Sequence, residues 1–144
     1  MKQSLRGKHV DIEGRILKEF CNIAVVGLSS DPERTSYKVA SYLAGQGYNI
    51  IPVNPNAREI LGRTSYPDLS SIPEKMDVVE LFRRAEDAGP IVEEAIKIGA
   101  RAVWMQEEIV NEEAAASARD AGLLVVMDKC MYKEHRSMMQ EQNS

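Results

Sequence analysis

The stretch that decides the fold is Ile23–Leu43, which reads IAVVGLSSDPERTSYKVASYL. It starts with an apolar, β-branched run that ends at Gly27, and a polar turn follows. Beyond the turn, apolar residues return at the spacing of a helix that begins near Thr35 or Ser36. A strand, a tight turn and an amphipathic helix in this order indicate the first half of a βαβ unit.

Further apolar runs follow the first one, Ile23–Gly27, along the chain. They are Asn49–Val53, Asp77–Phe82, Arg101–Met105 and Leu123–Met127. Continuous apolar runs, rather than strict alternation, are typical of strands buried on both faces of a parallel sheet. Helical patterns lie between most of the runs. The sequence therefore predicts an α/β fold: a doubly wound parallel sheet of about five strands, in the order 3-2-1-4-5, with helices on both faces.

The helical patterns between these runs are clearer in some connections than in others. Helices are predicted around Ile91–Ile96, after a proline that suits a first turn, and over Glu112–Ala121, where Asn111 is a good N-cap. The connection after the second strand is weaker, and we expect it to hold one short helical turn near Glu59–Leu61.

The two ends of the chain also carry helical patterns. An amphipathic helix is predicted before the first strand, on Ile12, Ile16, Leu17 and Phe20. A final helix is expected to begin at Met131. The chain, 1–144, is predicted to be a single domain with its core over residues 10–136 and a frayed tail over 137–144.

The composition excludes several classes of protein. Among 144 residues, 22 are acidic and 18 are Lys or Arg, so the net charge is -4 and a general nucleic-acid partner is not expected. No apolar run approaches the roughly 20 residues that span a membrane, and Met1–Lys8 has no apolar stretch after it, so no secretory signal is predicted. The two cysteines, Cys21 and Cys130, favour the reducing cytoplasm. Cys130 and His135 are too few for a metal site.

The first strand-to-helix loop offers groups that suit phosphate. Ligands of doubly wound sheets bind at the carboxyl ends of the strands, and free N–H groups at a helix start attract anions. Serine hydroxyls and the planar guanidinium of an arginine add further donors. The candidates are Gly27, Ser29, Ser30, Arg34 and Ser36. The alternative is an ordinary turn with a solvent-facing arginine.

The usual nucleotide fingerprints are missing. The loop has neither G-x-G-x-x-G nor the P-loop pattern, because Gly27 is its only glycine. The second strand ends in Val53, Asn54 and Pro55, without the acidic residue that binds the ribose of NAD. Arg58 could meet the 2′-phosphate of NADP, so NADP stays an alternative ligand. A stiff, apolar turn of this kind could hold the face of an adenine.

The third and fourth strands also end in polar groups. Arg83 and Arg84 suit phosphate, or they pair with Glu80 or Glu86. Gln106 at the end of the fourth strand is a candidate amide partner for a ligand, and a solvated side chain is the alternative. No catalytic residue is assigned.

Taken together, these loops resemble a known family. The chain is similar to the small, stand-alone predicted CoA-binding proteins, whose domain resembles the CoA-binding domain of the succinyl-CoA synthetase α subunit. The resemblance runs from about Val10 to Arg136. Its motifs are IAVVGLSSDPERTSYKVASYL (23–43), GYNIIPVNPN (47–56), DVVELFRR (77–84), VWMQ (103–106), NEEA (111–114) and VVMDKC (125–130).

The resemblance implies a Rossmann-like fold that binds coenzyme A. It implies that the turn Gly27–Ser30 and the arginine at Arg34 take the phosphates, and that Val53–Pro55 lies against the adenosine end. It also implies that Phe82–Arg83 and Gln106 line the path of the pantetheine arm. Similar sequences tend to have glycine two residues after the glutamine, where this chain has Glu108.

The resemblance also bears on catalysis. The larger synthetase needs a phosphorylated histidine on a separate domain and a nucleotide-binding partner subunit, and neither fits in 144 residues. We therefore expect a binding or regulatory module for coenzyme A or an acyl-CoA, and not an enzyme. The alternatives are an NADP-dependent oxidoreductase, which would share the fold, and a ligand-sensing scaffold, as a monomer or a homodimer.

Overall fold

The computed structural model describes residues 11–142. The prediction that Met1–Lys8 is not a secretory signal concerns residues outside this range, and residues 143–144 also lie outside it. The strands are β1 Asn22–Val26, β2 Asn49–Val53, β3 Glu59–Ile60, β4 Arg63–Thr64, β5 Val78–Leu81, β6 Ala102–Met105 and β7 Leu124–Val126. The helices are α1 Ile12–Glu19, α2 Thr35–Gly45, α3 Ala88–Lys97, α4 Glu112–Asp120 and α5 Met131–Gln142, with short 3₁₀ turns at Leu69–Ser71 and Ala85–Asp87.

The main sheet has five parallel strands in the order β2-β1-β5-β6-β7. The predicted α/β class and five-stranded parallel sheet are thereby confirmed. The predicted strand order 3-2-1-4-5 is wrong: numbered in the same way, the order is 2-1-3-4-5. The point where the strand order reverses lies between β1 and β5. The predicted order would have put it between the first and fourth strands.

Pro52 gives a physical reason for the observed order. On the outer side of β2, its carbonyl accepts a hydrogen bond from the Tyr66 N–H at 3.0 Å. Proline has no N–H to complete a ladder on that side, so β2 is suited to the edge of the sheet. The third strand therefore pairs with the free side of β1, where Ile23 is opposite Val78.

The helices cover both faces of the sheet, as predicted. One face, here called the α2 face, packs against α1, α2 and α5, and its strand residues include Val25, Val78 and Trp104. The other, here called the α3 face, packs against α3 and α4 and includes Val79 and Val103. Strands buried on both sides explain why the apolar runs are continuous in the sequence.

The second connection differs from its prediction. The helical turn expected near Glu59–Leu61 is wrong, because β3 and β4 form an antiparallel hairpin there. Its two turn residues, Leu61 and Gly62, have φ values of 57° and 70°. Positive φ at both positions is the geometry of a two-residue hairpin turn, and it cannot continue a helix.

The terminal helices complete the α2 face. Ile16 and Leu17 of α1 are buried in its core, and the Tyr48 hydroxyl donates to the Leu17 carbonyl at 2.5 Å. The predicted amphipathic segment thus covers this chain's own sheet. The final helix begins at Met131 and continues to Gln142, through most of the tail expected to fray. Within residues 11–142, none of the helices combines the length and apolar character needed to cross a bilayer.

Candidate functional site

The loop between β1 and α2 is braced by its own side chains. The Ser29 N–H donates to the buried Ser36 hydroxyl at 3.0 Å, and the Asp31 N–H donates to the Ser29 hydroxyl at 3.0 Å. The Glu33 N–H donates to the Asp31 carboxylate at 3.0 Å. Ser29 and Ser36 therefore fix the shape of the loop, a function that sequence reasoning did not assign to them. Ser30 remains exposed at its tip.

Arg34 precedes the first turn of α2 with extended backbone and an exposed side chain. Among the described residues, its guanidinium has no carboxylate within ion-pair distance. An unpaired cation beside a helix N-terminus suits an anion. Its role in binding phosphate stays a prediction.

Asn54 ties the second strand's turn to this loop. Its side-chain amide donates to the Leu28 carbonyl at 2.9 Å, and its side-chain oxygen accepts from the Asn56 N–H at 2.8 Å. Its own carbonyl accepts from the Ser65 hydroxyl at 3.1 Å. The predicted Asn54 thus holds two loops in register, and its amide is already used within the protein.

The end of β5 places one free and one paired arginine at the sheet edge. Arg84 lies 3.4 Å from Glu86 and 3.3 Å from Asp87, so the pairing alternative holds for it. Arg83 is half-buried and makes no ion pair within the described part of the chain. Glu80 pairs with neither arginine.

Gln106 lines a cavity of about 510 Å³, together with Phe82 and Arg83. It is 4% exposed, and neither its Oε1 nor its Nε2 has a hydrogen-bond partner among residues 11–142. Buried amides are normally paired, so the unpaired amide of a residue that lines a cavity is a candidate for a hydrogen bond with a bound molecule. The alternative of a solvated side chain is wrong, because Gln106 is buried.

A smaller cavity of about 180 Å³ adjoins this one at Arg83, and Val53 and Pro55 line it. Five of the predicted site residues, Val53, Pro55, Phe82, Arg83 and Gln106, thus line one edge of the sheet. Gly27 lies against them, since a Cβ built on it would be 3.3 Å from the Arg83 Cδ. Ser30 and Arg34 are exposed outside these two cavities.

Glu108 occupies a position that favours glycine. Its φ is 70°, in the left-handed region, and its N–H donates to the Asp128 carboxylate at 2.7 Å. The glycine of similar sequences is thus explained by backbone conformation, because glycine reaches positive φ at no steric cost. The carboxylate of Glu108 stands beside the cavity that contains Gln106.

Replacing Glu108 by glycine is expected to raise the free energy of unfolding by about 0.5–1 kcal/mol, because relief of the left-handed strain exceeds the entropy that glycine adds to the unfolded chain. Chemical denaturation measures this change. Glu108→Ala is the matched control, since it removes the same carboxylate and keeps the Cβ. Equal stabilisation by both substitutions would show that charge, and not backbone strain, is the cause.

Sequence reasoning named Glu80 only as a possible partner of an arginine and missed that it is buried. It lies in β5 opposite Val25 and Trp104 and is 0% exposed, and neither carboxylate oxygen has a partner in the part of the chain that the structure describes. Burial raises its pKa to about 8. An acidic residue inside an apolar run was the signal in the sequence, because a strand buried on both faces has no solvated side for a charge.

The comparison with known families identifies the family to which this chain belongs. The model of a family described as the CoA binding domain matches residues 21–136. The chain belongs to this CoA-binding family. The predicted resemblance is therefore confirmed, and the matched residues include every strand of the sheet and the loops described above.

Relatives of this chain include small proteins and parts of larger ones. It is 41% identical over 120 residues to the uncharacterized protein YneT of Bacillus subtilis, covering 83% of this chain and 89% of that one. A hypothetical protein from Pyrococcus horikoshii has a similar structure, with a TM-score of 0.86 and 42% identity over 88% of this chain and 89% of that chain.

A larger solved structure contains a similar domain. It is the dinucleotide-forming acetyl-coenzyme A synthetase 1 of Ca. Korarchaeum cryptofilum, with a TM-score of 0.66 and 25% identity. The match covers 77% of this chain and 26% of that chain. This chain is thus similar to one part of that synthetase.

Proposed function

We propose that this protein binds coenzyme A or an acyl-CoA at the carboxyl edge of its sheet, as a binding or regulatory module without catalysis of its own. The observation that carries the proposal is the unpaired, buried amide of Gln106 in a cavity at that edge, in a chain of the CoA-binding family. The pantetheine arm of coenzyme A carries secondary amides, each with one donor and one acceptor. A primary amide offers the complementary acceptor and donor.

The charges along the edge support the same ligand. Arg34 and Arg83 are cations without ion pairs in the described residues, and Thr35, which follows Arg34 and begins α2, lines the same cavity as Arg83. The diphosphate of coenzyme A would lie across them. Val53 and Pro55 offer apolar groups to the adenosine end in the smaller cavity, which Asp68 and Glu94 also line.

The absence of catalysis is proposed from the surroundings of two reactive side chains. His135 lies on α5, where its Nδ1 is 2.7 Å from the Tyr42 hydroxyl and its ring packs against Tyr48. Cys130 is 5% exposed, and no histidine is among the described residues that line the cavity beside it. The expected cytoplasmic location and the homodimer both stay predictions.

Calorimetry on ligand-stripped protein tests the proposal with coenzyme A, acetyl-CoA, NAD, NADPH and ATP. We expect heat of binding for the two CoA compounds and none for NAD or ATP. Lack of any response to coenzyme A at millimolar concentration would overturn the proposal. Tight binding of NADPH without binding of coenzyme A would favour the oxidoreductase alternative.

The Arg34→Ala variant is expected to bind coenzyme A about tenfold to a hundredfold more weakly, because a hydrogen bond to a charged group is lost. The same calorimetry measures this loss. Arg119→Ala is the matched control, since it removes an exposed arginine from the last turn of α4, at the other end of the strands. Unchanged affinity in Arg34→Ala would remove this residue from the site.

A further inference from the structure

We propose that the acyl group of an acyl-CoA, an apolar chain without a charge of its own, occupies a separate cavity between the first turns of α2 and α5. This cavity has a volume of about 530 Å³, within the range of small-molecule sites. The inference rests on the proposed function and adds the class of ligand to it. It makes the protein a receptor for acyl thioesters in preference to free coenzyme A.

The position of the cavity follows from the residues that it shares with its neighbour. Thr35 and Glu107 line both this cavity and the one that contains Gln106. In an acyl-CoA, the amides of the pantetheine arm precede the thioester and the acyl chain. A ligand whose amide meets Gln106 would therefore extend its thioester past Thr35 and Glu107, and its acyl group would enter this cavity.

The walls of the cavity suit an apolar chain. Val39 and Cys130 are 4% and 5% exposed and belong to the core of the α2 face. The Tyr132 ring stands edge-on to Tyr42 with 4.6 Å between ring centroids, and its hydroxyl accepts from Arg136 at 3.0 Å. The phenol oxygen thus already accepts a hydrogen bond, from a residue that does not line the cavity, and the ring offers a ligand its apolar surface.

Two of the three charges at the mouth cancel. The Lys133 ammonium lies 2.9 Å from the Glu107 carboxylate, so neither is free to select a charged acyl group. Lys38 is exposed at the rim, where its ammonium can stay in water while its apolar stem covers the chain. A carboxylate at the end of the acyl group would have to reach Lys38 to be stabilised, which makes a dicarboxylic acyl-CoA the rival ligand.

Calorimetry with coenzyme A and acetyl-, butyryl-, hexanoyl- and succinyl-CoA tests the inference on the full chain. We expect affinity to rise about threefold to fourfold for each methylene that enters the cavity, the usual gain for burying that group. Succinyl-CoA should bind more weakly than butyryl-CoA. Equal or weaker binding of every acyl-CoA relative to coenzyme A would overturn this inference and leave the proposed function intact. No binding of any CoA compound would overturn the proposed function itself.

Two variants place the acyl group within the molecule. Cys130→Leu fills the cavity from its floor, and we expect it to abolish the gain from butyryl- and hexanoyl-CoA while binding coenzyme A as the wild type does. Cys130→Ala is the matched control and should keep the gain. If Cys130→Leu fails to fold, Lys38→Trp fills the cavity from its exposed rim and should have the same effect. Retention of the chain-length gain in a folded, filled variant would show that the acyl group lies elsewhere.

Discussion

Substitution of Gly27 by alanine should lower the free energy of unfolding by about 3 kcal/mol. Two costs add up at this position. Its φ is 89°, in the left-handed region, where a Cβ costs about 1–2 kcal/mol. A Cβ there would also stand 2.7 Å from the Phe82 carbonyl oxygen, and that oxygen belongs to the backbone and cannot rotate away. Forced expansion of a packed site adds about 1–3 kcal/mol.

Gly122→Ala separates the two costs. Gly122 has nearly the same φ, 91°, but no described residue other than its chain neighbours lies within 4 Å of the position that a Cβ would take. We expect it to lose only the strain contribution, about 1 kcal/mol. Chemical denaturation of both variants gives the comparison. If the two substitutions cost the same, the approach of β1 to the Phe82 carbonyl is not what requires glycine at position 27.

The close approach at Gly27 also concerns the candidate site. The Gly27 N–H donates to the Val53 carbonyl at 3.0 Å, and the Phe82 N–H donates to the Val26 carbonyl at 2.8 Å. Gly27 therefore joins the ends of β2, β1 and β5 at the point where the strand order reverses. Widening this junction would move the cavity residues Val53 and Phe82 apart, so Gly27→Ala should weaken ligand binding as well as stability.

Local patterns in the sequence predicted the strands and the edge at which the site lies. A continuous apolar run identifies a buried strand whatever its neighbours are, and the residue after each run must lie at the carboxyl edge. Gln106, Arg83 and Pro55 were located by this reasoning alone. That these residues lie at the same edge follows from the strands being parallel, whatever the strand order is.

The strand order was not predicted, because it depends on contacts between distant segments. The hydrophobic pattern does not determine whether the third long strand, β5, pairs with β1 or with the outer side of β2. Pro52 did carry a usable signal, since a proline within a strand favours an edge position. The cavity between α2 and α5 could not be predicted either, because its lining residue Val39 lies about 90 positions before Cys130 and Tyr132 in the sequence.

Stability is expected to fall as the pH rises from about 4.5 to about 8, because of Glu80. Burial raises the pKa of this carboxyl from 4.5 to about 8 in the folded state, so the folded protein holds a proton that the unfolded chain has released. A group of this kind contributes its full stability below the unfolded pKa and loses it as the pH rises to the folded pKa. Between pH 5 and pH 8 the loss is on the order of 3 kcal/mol.

Urea denaturation of the wild type and of Glu80→Gln at several pH values isolates this effect. Glutamine keeps the shape of the protonated acid and cannot ionise. His135 titrates in the same range and acts in the opposite direction, since burial lowers its pKa and stability rises as the pH passes upward through its titration. Because His135 is present in both proteins, the difference between the two profiles reports Glu80 alone. Parallel profiles would show that the Glu80 carboxyl has a partner or reaches water.

A protonated Glu80 also matters for the proposed ligand. It precedes Phe82, the residue that follows β5, by two positions, a distance of about 7 Å along an extended chain, and so lies directly below the cavity edge. A carboxylate there would repel phosphate and oppose Arg83, whereas the neutral acid does not. The affinity for coenzyme A should therefore fall as the pH passes upward through 8 in the wild type, and Glu80→Gln should remove that part of the fall.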